Sequence, residues 1–141
     1  MIEQYLLDTC AVSEYIRQEP NRKVIQWLDL QPEENLFISV ITIGKIKKGI
    51  VKIESSQQKK YQKLNEWLHN LIRRFERRIL ALDREIMIEW GHLGGKFEQS
   101  GKKLLIDSLI AATAINNQLT LVTRNESDFS SVNVPLHNPW S

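Results

Sequence analysis

Short apolar runs alternate with segments of helical periodicity along this chain, and that alternation restricts the fold more than any other feature. The runs are rich in leucine, isoleucine and valine, which are typical of buried strands in parallel sheets. They cover 4–8, 36–40, 79–82 and 119–123, with a further edge strand expected over 132–136. Because strands and helices alternate throughout, we expect a three-layer α/β fold with a mostly parallel central sheet flanked by helices.

The segments between the strands carry apolar residues three or four positions apart, which predicts helices. The predicted helices cover about 10–18, 22–30, 41–54, 56–78, 84–93 and 108–115. Asn21 and Asp83 are the expected N-caps of two of them, and Gly94 is expected to loosen the fifth. The pair over 41–78 predicts a helical hairpin at one edge of the sheet. The last helix has almost no polar face, so we expect it to be buried.

Composition limits the class of protein. A chain of 141 residues, 42% apolar and 26% charged, fits a single globular domain over 1–141. A net charge of +2 is too small to indicate nucleic-acid binding by itself, and the single cysteine excludes an intramolecular disulfide. The apolar runs are far shorter than a membrane span, and the N-terminus lacks a signal-peptide pattern. We therefore expect a cytoplasmic protein that does not bind membranes.

Acidic and amide side chains follow the predicted strands at equivalent points. Asp8 ends the first strand, Asp107 heads the buried helix, and Asn125 and Asp128 follow the fourth strand. These points meet at one rim of a parallel sheet. Close carboxylates repel each other by about 4 kcal/mol per pair at an effective dielectric of about 20, so a cation is expected between them. Oxygen ligands favour Mg²⁺ or Mn²⁺ over Zn²⁺, and such an ion suits phosphodiester hydrolysis.

A simpler interpretation exists for each acid alone. Asp8, Asp107 and Asp128 all stand where helix N-caps occur. Their convergence on one predicted rim favours a site over three independent caps. The hydroxyls of Thr9 and Thr123 are candidates for orienting the carboxylates.

Several segments resemble the PIN-domain ribonucleases, and most of all the VapC toxins of the FitB-like group. They are 7–9 with the following helix, 38–44, 106–114, and 122–125 with 128–129. The resemblance implies a PIN-like fold and a Mg²⁺-dependent endoribonuclease that cleaves structured RNA such as tRNA. It implies metal ligands at Asp8 and Asp107 and further catalytic residues at Asn125 and Asp128. It also implies a homodimer, and a small antitoxin as the partner in a type II toxin–antitoxin pair.

Two positions depart from the family pattern. Lys45 stands where the family carries a glutamate, and Cys10 stands where asparagine is common. An ammonium at position 45 changes the local charge by two units and could pair with Asp8 and Asp107 in place of a metal. We expect weak or absent cleavage from this chain. The alternatives are a disabled PIN fold that binds RNA or an antitoxin without cleaving, and a Lys45 that simply points to solvent.

Basic and aromatic residues suggest further contacts. Arg124 is a candidate for an RNA phosphate contact or for a salt bridge within the rim. The predicted helix over 56–78 carries a basic face that is either a phosphate-binding surface or an ordinary solvated face. Its apolar stripe, with Trp67 and the neighbouring Trp27, either packs on the core or forms a groove for an antitoxin helix.

Overall fold

A parallel five-stranded sheet lies at the centre of the computed structural model, which describes residues 2–99 and 106–141. The strands are β1 (Tyr5–Leu7), β2 (Leu36–Ser39), β3 (Ile79–Leu80), β4 (Thr120–Val122) and β5 (Leu136–His137). They lie in the order β3-β2-β1-β4-β5, and every neighbouring pair is parallel. The predicted α/β class and parallel sheet are confirmed.

Helices cover both faces of this sheet. They are α1 (Thr9–Val12), α2 (Arg22–Leu30), α3 (Val40–Val51), α4 (Gln58–Arg74), α5 (Arg84–Gln99) and α6 (Ile106–Asn116). α3 packs along α4 as the predicted hairpin, and α5 packs along α6. No helix in the described ranges is long and apolar enough to cross a membrane.

Neighbouring residues of the central strands point into two separate cores. Leu7 of β1 and Val122 of β4 belong to the cluster under α2, α3 and α4, whereas Leu6 and Leu121 belong to the cluster under α6. This follows from the two-residue period of a strand, which sends successive side chains to opposite faces. A sheet with a core on each face gives the predicted three layers.

Local capping explains where several helices begin. The Asn21 side chain accepts hydrogen bonds from the backbone N–H groups of Lys23 and Val24, at 3.0 and 3.3 Å. The Asp83 carboxylate accepts from the Ile86 N–H at 2.9 Å. Both predicted caps are therefore confirmed, since each satisfies an N–H that has no partner within its helix.

Other predicted boundaries are wrong. The first helix changes to a 3-10 turn at Ser13 and ends at Ile16, short of residue 18. α5 continues through Gly94 to Gln99, because packing along α6 outweighs the roughly 1 kcal/mol helix cost of a glycine. The turn predicted after it, at 100–103, lies outside the described residues.

The edge strand predicted over 132–136 is also misplaced. Strand pairing begins only at Leu136, and the preceding segment is a loop. Val132 and Val134 are buried all the same, and they pack against the cluster that contains Ile110. Their alternation therefore reflects burial of every second side chain and not backbone pairing.

Arg78 joins the end of α4 to the start of β2. Its guanidinium donates to the backbone carbonyls of Glu33, Leu36 and Arg74 at 2.5, 2.8 and 2.8 Å, and lies 4.6 Å from the centre of the Phe75 ring. Arg74 donates to the Glu33 carboxylate at 2.6 Å, and this hydrogen bond lowers the pKa of that carboxyl. Arg74 and Arg78, two of the basic residues in the helix predicted over 56–78, thus have structural roles.

We expect Arg78→Ala to lower the free energy of unfolding by about 2 kcal/mol, because carbonyls that a charged donor now satisfies would lose their partner. Urea denaturation followed by circular dichroism measures this. Arg77→Ala is the matched control, since Arg77 is exposed and such surface changes usually stay within about 0.5 kcal/mol. Equal losses in the two variants would contradict the role given to Arg78.

Candidate active site

The carboxylate of Asp8 lies at the point where the strand order reverses. β1 has β2 on one side and β4 on the other, and the carboxyl ends of such neighbouring strands form a crevice that binds ligands in open α/β sheets. The residue is 4% exposed. Its Oδ1 accepts from the Thr9 N–H and its Oδ2 accepts from the Thr123 hydroxyl, both at 2.8 Å. Asp8 therefore caps α1 and also reaches across to β4.

Thr123 joins Asp8 to the loop that follows β4. Its side chain is fully buried, and its hydroxyl oxygen also accepts from the Asn125 N–H at 3.1 Å. The orienting role predicted for this hydroxyl fits that geometry. The same role predicted for the Thr9 hydroxyl is wrong, because the Thr9 Oγ1 is buried without a hydrogen-bond partner among the described residues.

Asp107 and Lys45 form an ion pair on the neighbouring helices. Asp107 lies in the first turn of α6 and is not its cap, and its Oδ1 is 3.3 Å from the Nζ of Lys45 on α3. The two side chains are 42% and 35% exposed. Lys45 thus points to an acid and not to open solvent. An ion pair between Lys45 and Asp8 is absent from the described residues.

A short 3-10 turn, Glu126–Phe129, lies just beyond β4; Asn125 is the residue before it and Asp128 lies within it. The Asp128 N–H donates to the Asn125 carbonyl at 3.1 Å, and both residues are exposed. No hydrogen bond joins either side chain to Asp8 or Asp107 within the described ranges. By their hydrogen bonds and ion pairs, the predicted residues form two groups. Asp8 is linked through Thr123 to the Asn125 backbone, and Asp107 is linked to Lys45.

Within residues 2–99 and 106–141, no three His, Cys, Asp or Glu side chains are arranged to hold a metal ion. The charges explain this in part. Lys45 supplies to Asp107 the positive charge that a metal would supply, and donors from Thr9 and Thr123 already engage both Asp8 oxygens. In this arrangement the residues present favour only weak binding of the divalent ion expected from the sequence.

Cys10 lies beside the Asp8 carboxylate. Its Sγ is 3.8 Å from the Asp8 Oδ2 and 3.9 Å from the Thr123 Oγ1. Burial and then the negative charge of Asp8 raise the pKa of the thiol. Because the thiolate is the nucleophilic form, this environment favours a packing role for Cys10 over a nucleophilic one.

Arg124 has an aromatic partner that its sequence context does not predict. Its guanidinium carbon lies 5.5 Å from the centre of the Trp140 ring. The partners expected from the sequence were an RNA phosphate or an acid of the rim. No sequence periodicity predicts a contact between two residues this far apart along a strand-loop-strand segment. Only β4 and β5 pairing brings them together.

A family model described as the PIN domain matches residues 5–135. The toxin FitB of Neisseria gonorrhoeae is 32% identical over 137 residues, which cover 96% of this chain and 97% of FitB. The chain belongs to the PIN domain family.

Two other PIN relatives agree with this assignment. The plasmid stability protein StbB of Pseudomonas syringae pv. tomato is 32% identical over 136 residues, covering 96% of this chain and 97% of StbB. The VapC ribonuclease Y4jK of Sinorhizobium fredii is 29% identical over 136 residues, covering 96% of each chain. Within the family, this protein is thus a VapC-like toxin of the toxin–antitoxin type, as its sequence predicts.

Solved PIN toxin structures share the whole fold. FitAcB from Neisseria gonorrhoeae superposes with a TM-score of 0.89 at 32% identity, covering 97% of this chain and 99% of that one. VapBC2 from Rickettsia felis, bound to a promoter DNA fragment, gives a TM-score of 0.77 at 28% identity, covering 95% and 97%. The PIN-like fold is confirmed.

Thr123→Val tests the link between Asp8 and the loop after β4. Removing the hydroxyl takes a donor from a buried carboxylate and an acceptor from the Asn125 N–H. We expect the free energy of unfolding to fall by about 2 kcal/mol. Urea denaturation of parent and variant gives the difference.

Thr42→Val is the matched control, because the Thr42 hydroxyl is equally buried but has no hydrogen-bond partner among the described residues. Its replacement should be neutral or should stabilise the protein by about 1 kcal/mol. A loss of stability of the same size in both variants would show that the Thr123 hydroxyl has no special role.

Proposed function

We propose that this PIN toxin carries the site of a divalent-metal endoribonuclease, and that Lys45 keeps the site from cleaving RNA efficiently. The 3.3 Å pair between the Lys45 ammonium and Asp107 carries this proposal. Asp8 and Asp107 are the proposed metal ligands, with Asn125 and Asp128 as the further catalytic residues. Mg²⁺ or Mn²⁺ is the proposed ion, because the ligands are oxygens.

Electrostatics supports impairment over full activity. A divalent cation next to Lys45 would meet an ammonium where the family pattern has a carboxylate, and close like charges cost several kcal/mol at an effective dielectric of about 20. Asp107 would also have to exchange its present partner for the metal. With only Asp8 and Asp107 as proposed metal ligands, and one of them paired, metal affinity should be low.

A non-cleaving binding protein is the second candidate function. The same ion pair favours it, because Lys45 neutralises Asp107 without any metal. Arg124 is exposed and directly follows the threonine that binds Asp8, so its charge is accessible to a phosphate. RNA, with tRNA as one possibility, is the proposed ligand in both candidate functions, and cleavage separates the two.

An antitoxin is the proposed protein partner, supported by the toxin–antitoxin complexes FitAcB and VapBC2 among the similar structures. A cavity of about 500 Å³ between α2 and α4 offers a receiving surface. Trp67 and Leu71 of α4 line it, and the hydrogen bond from Tyr15 to Asp29 at 2.7 Å lies at its wall. Burial and Asp29 raise the pKa of Tyr15 to about 12, so the phenol stays a neutral donor.

Trp27 does not line this cavity, although the sequence made it a candidate for an antitoxin groove. Its ring packs edge-on against Tyr5, with centroids 4.8 Å apart, and lies 4.6 Å from the His137 ring.

The homodimer and the cytoplasmic location stay predictions.

Lys45→Glu tests the proposal directly. We expect the variant to bind Mn²⁺ at least about tenfold more tightly than the parent, because the change replaces a repelling charge with a ligand. Calorimetric titration with Mn²⁺ measures the affinity. Cleavage of a labelled tRNA in Mg²⁺, with EDTA as the blank, should rise from little or none in the parent to a measurable rate.

Lys48→Glu is the matched control, since it makes the same charge change at an exposed position of the same helix. It should alter neither Mn²⁺ affinity nor cleavage. If Lys45→Glu and Lys48→Glu behave alike, or if the parent already binds Mn²⁺ and cleaves as well as Lys45→Glu, Lys45 does not control the site. Tighter Mn²⁺ binding without cleavage in Lys45→Glu would favour the binding protein.

A further inference from the structure

The last residues of the chain lie against the loop that follows β4. The backbone N–H of Thr123 donates to the His137 carbonyl at 3.1 Å, which continues the pairing of β4 with β5 past Val122. This places the segment 138–140 beside the loop residues that come after Thr123. The PIN family model ends at residue 135, so this segment lies outside the matched region.

Two side-chain contacts bracket Asn125. On one side of it, Arg124 lies over the Trp140 ring at 5.5 Å. On the other, Asn138 donates from Nδ2 to the Glu126 carboxylate at 3.0 Å. The C-terminal segment therefore holds both neighbours of a proposed catalytic residue.

Trp140 is the fixed member of its pair. Its backbone N–H donates to the Asn138 side-chain oxygen at 2.9 Å, and the preceding Pro139 is buried. The Trp140 ring is partly buried and packs against the core cluster that includes Leu7 and Val122. Because the Trp140 ring is anchored and Arg124 is exposed, the ring restricts the position of the Arg124 side chain.

The charge of Arg124 is left available for an anion. In the described parts of the chain, every ion pair involves cations other than Arg124. An aromatic ring holds a guanidinium through its flat face, while the N–H edge stays free to donate to phosphate oxygens. Arg124 directly follows Thr123, which binds Asp8, so its backbone lies on the same rim, one residue from the side chain that holds the acid.

We propose that Trp140 is a positioning residue that holds Arg124 for contact with an RNA phosphate beside Asp8. The RNA in this inference rests on the proposed function, but the role of Trp140 needs neither metal nor cleavage. The segment 138–140 thereby becomes part of the RNA-binding site.

Binding of a fluorescein-labelled RNA hairpin to the full chain, in EDTA and at several salt concentrations, tests this by fluorescence anisotropy. Arg124→Ala and Trp140→Ala should each weaken binding about threefold to tenfold, and the double variant no more than either. Each should also reduce the slope of log K against log salt by about 0.7, the value for one lost phosphate contact on a single strand. Trp140→Phe keeps an aromatic face and should bind nearly as the parent does.

The readouts separate positioning from simple support of the core. Thermal unfolding monitored by circular dichroism checks that each variant is folded. If Trp140→Ala does not fold, Trp140→Phe retains the test. An unchanged salt slope in Trp140→Ala, or an equal loss when Trp140→Ala is added to Arg124→Ala, would overturn the inference. The inference would also be wrong if Arg124→Ala bound the RNA hairpin as tightly as the parent, or if the parent bound no RNA. The Mn²⁺ affinity of Lys45→Glu tests the proposed function and does not depend on any of these RNA-binding results.

Discussion

The buried carboxylate of Asp8, held by the Thr123 hydroxyl, is the interaction on which the rim of this molecule depends. It spans β1 and β4, the two strands at which the sheet reverses its order. A carboxylate this deeply buried is costly unless donors satisfy it. Because Thr123 also accepts from the Asn125 N–H, the same hydroxyl shapes the loop beyond β4. One buried hydrogen bond thus fixes both the acid and its neighbours.

The second acid of the rim has a different partner. Asp107 is half exposed and pairs with Lys45, so a lysine of a neighbouring helix balances its charge. We expect this arrangement to keep the PIN fold while changing which ligands its crevice binds. A site with two free acids would draw in a cation, whereas a site with one neutralised acid and an exposed Arg124 is closer to balance and more tolerant of a phosphate.

The sheet, the layers and most caps could be predicted from the sequence because each depends on local patterns. A buried strand needs an apolar run, and a cap needs Asn21 or Asp83 at a helix start. Predictions failed where packing overrides local preference. Val132 and Val134 alternate as a strand does but are buried without pairing, and Gly94 lies inside a helix that its neighbour stabilises.

The sequence by itself determined the family, the acids at the strand ends and the unusual lysine, because these are facts of residue type and order. The tertiary structure alone decided which groups meet. Lys45 and Asp107 are 62 positions apart and Asp8 and Thr123 are 115 apart, so no periodicity can report their contact. The same holds for Trp140 under Arg124. These contacts exist because parallel pairing gathers distant chain segments at one rim.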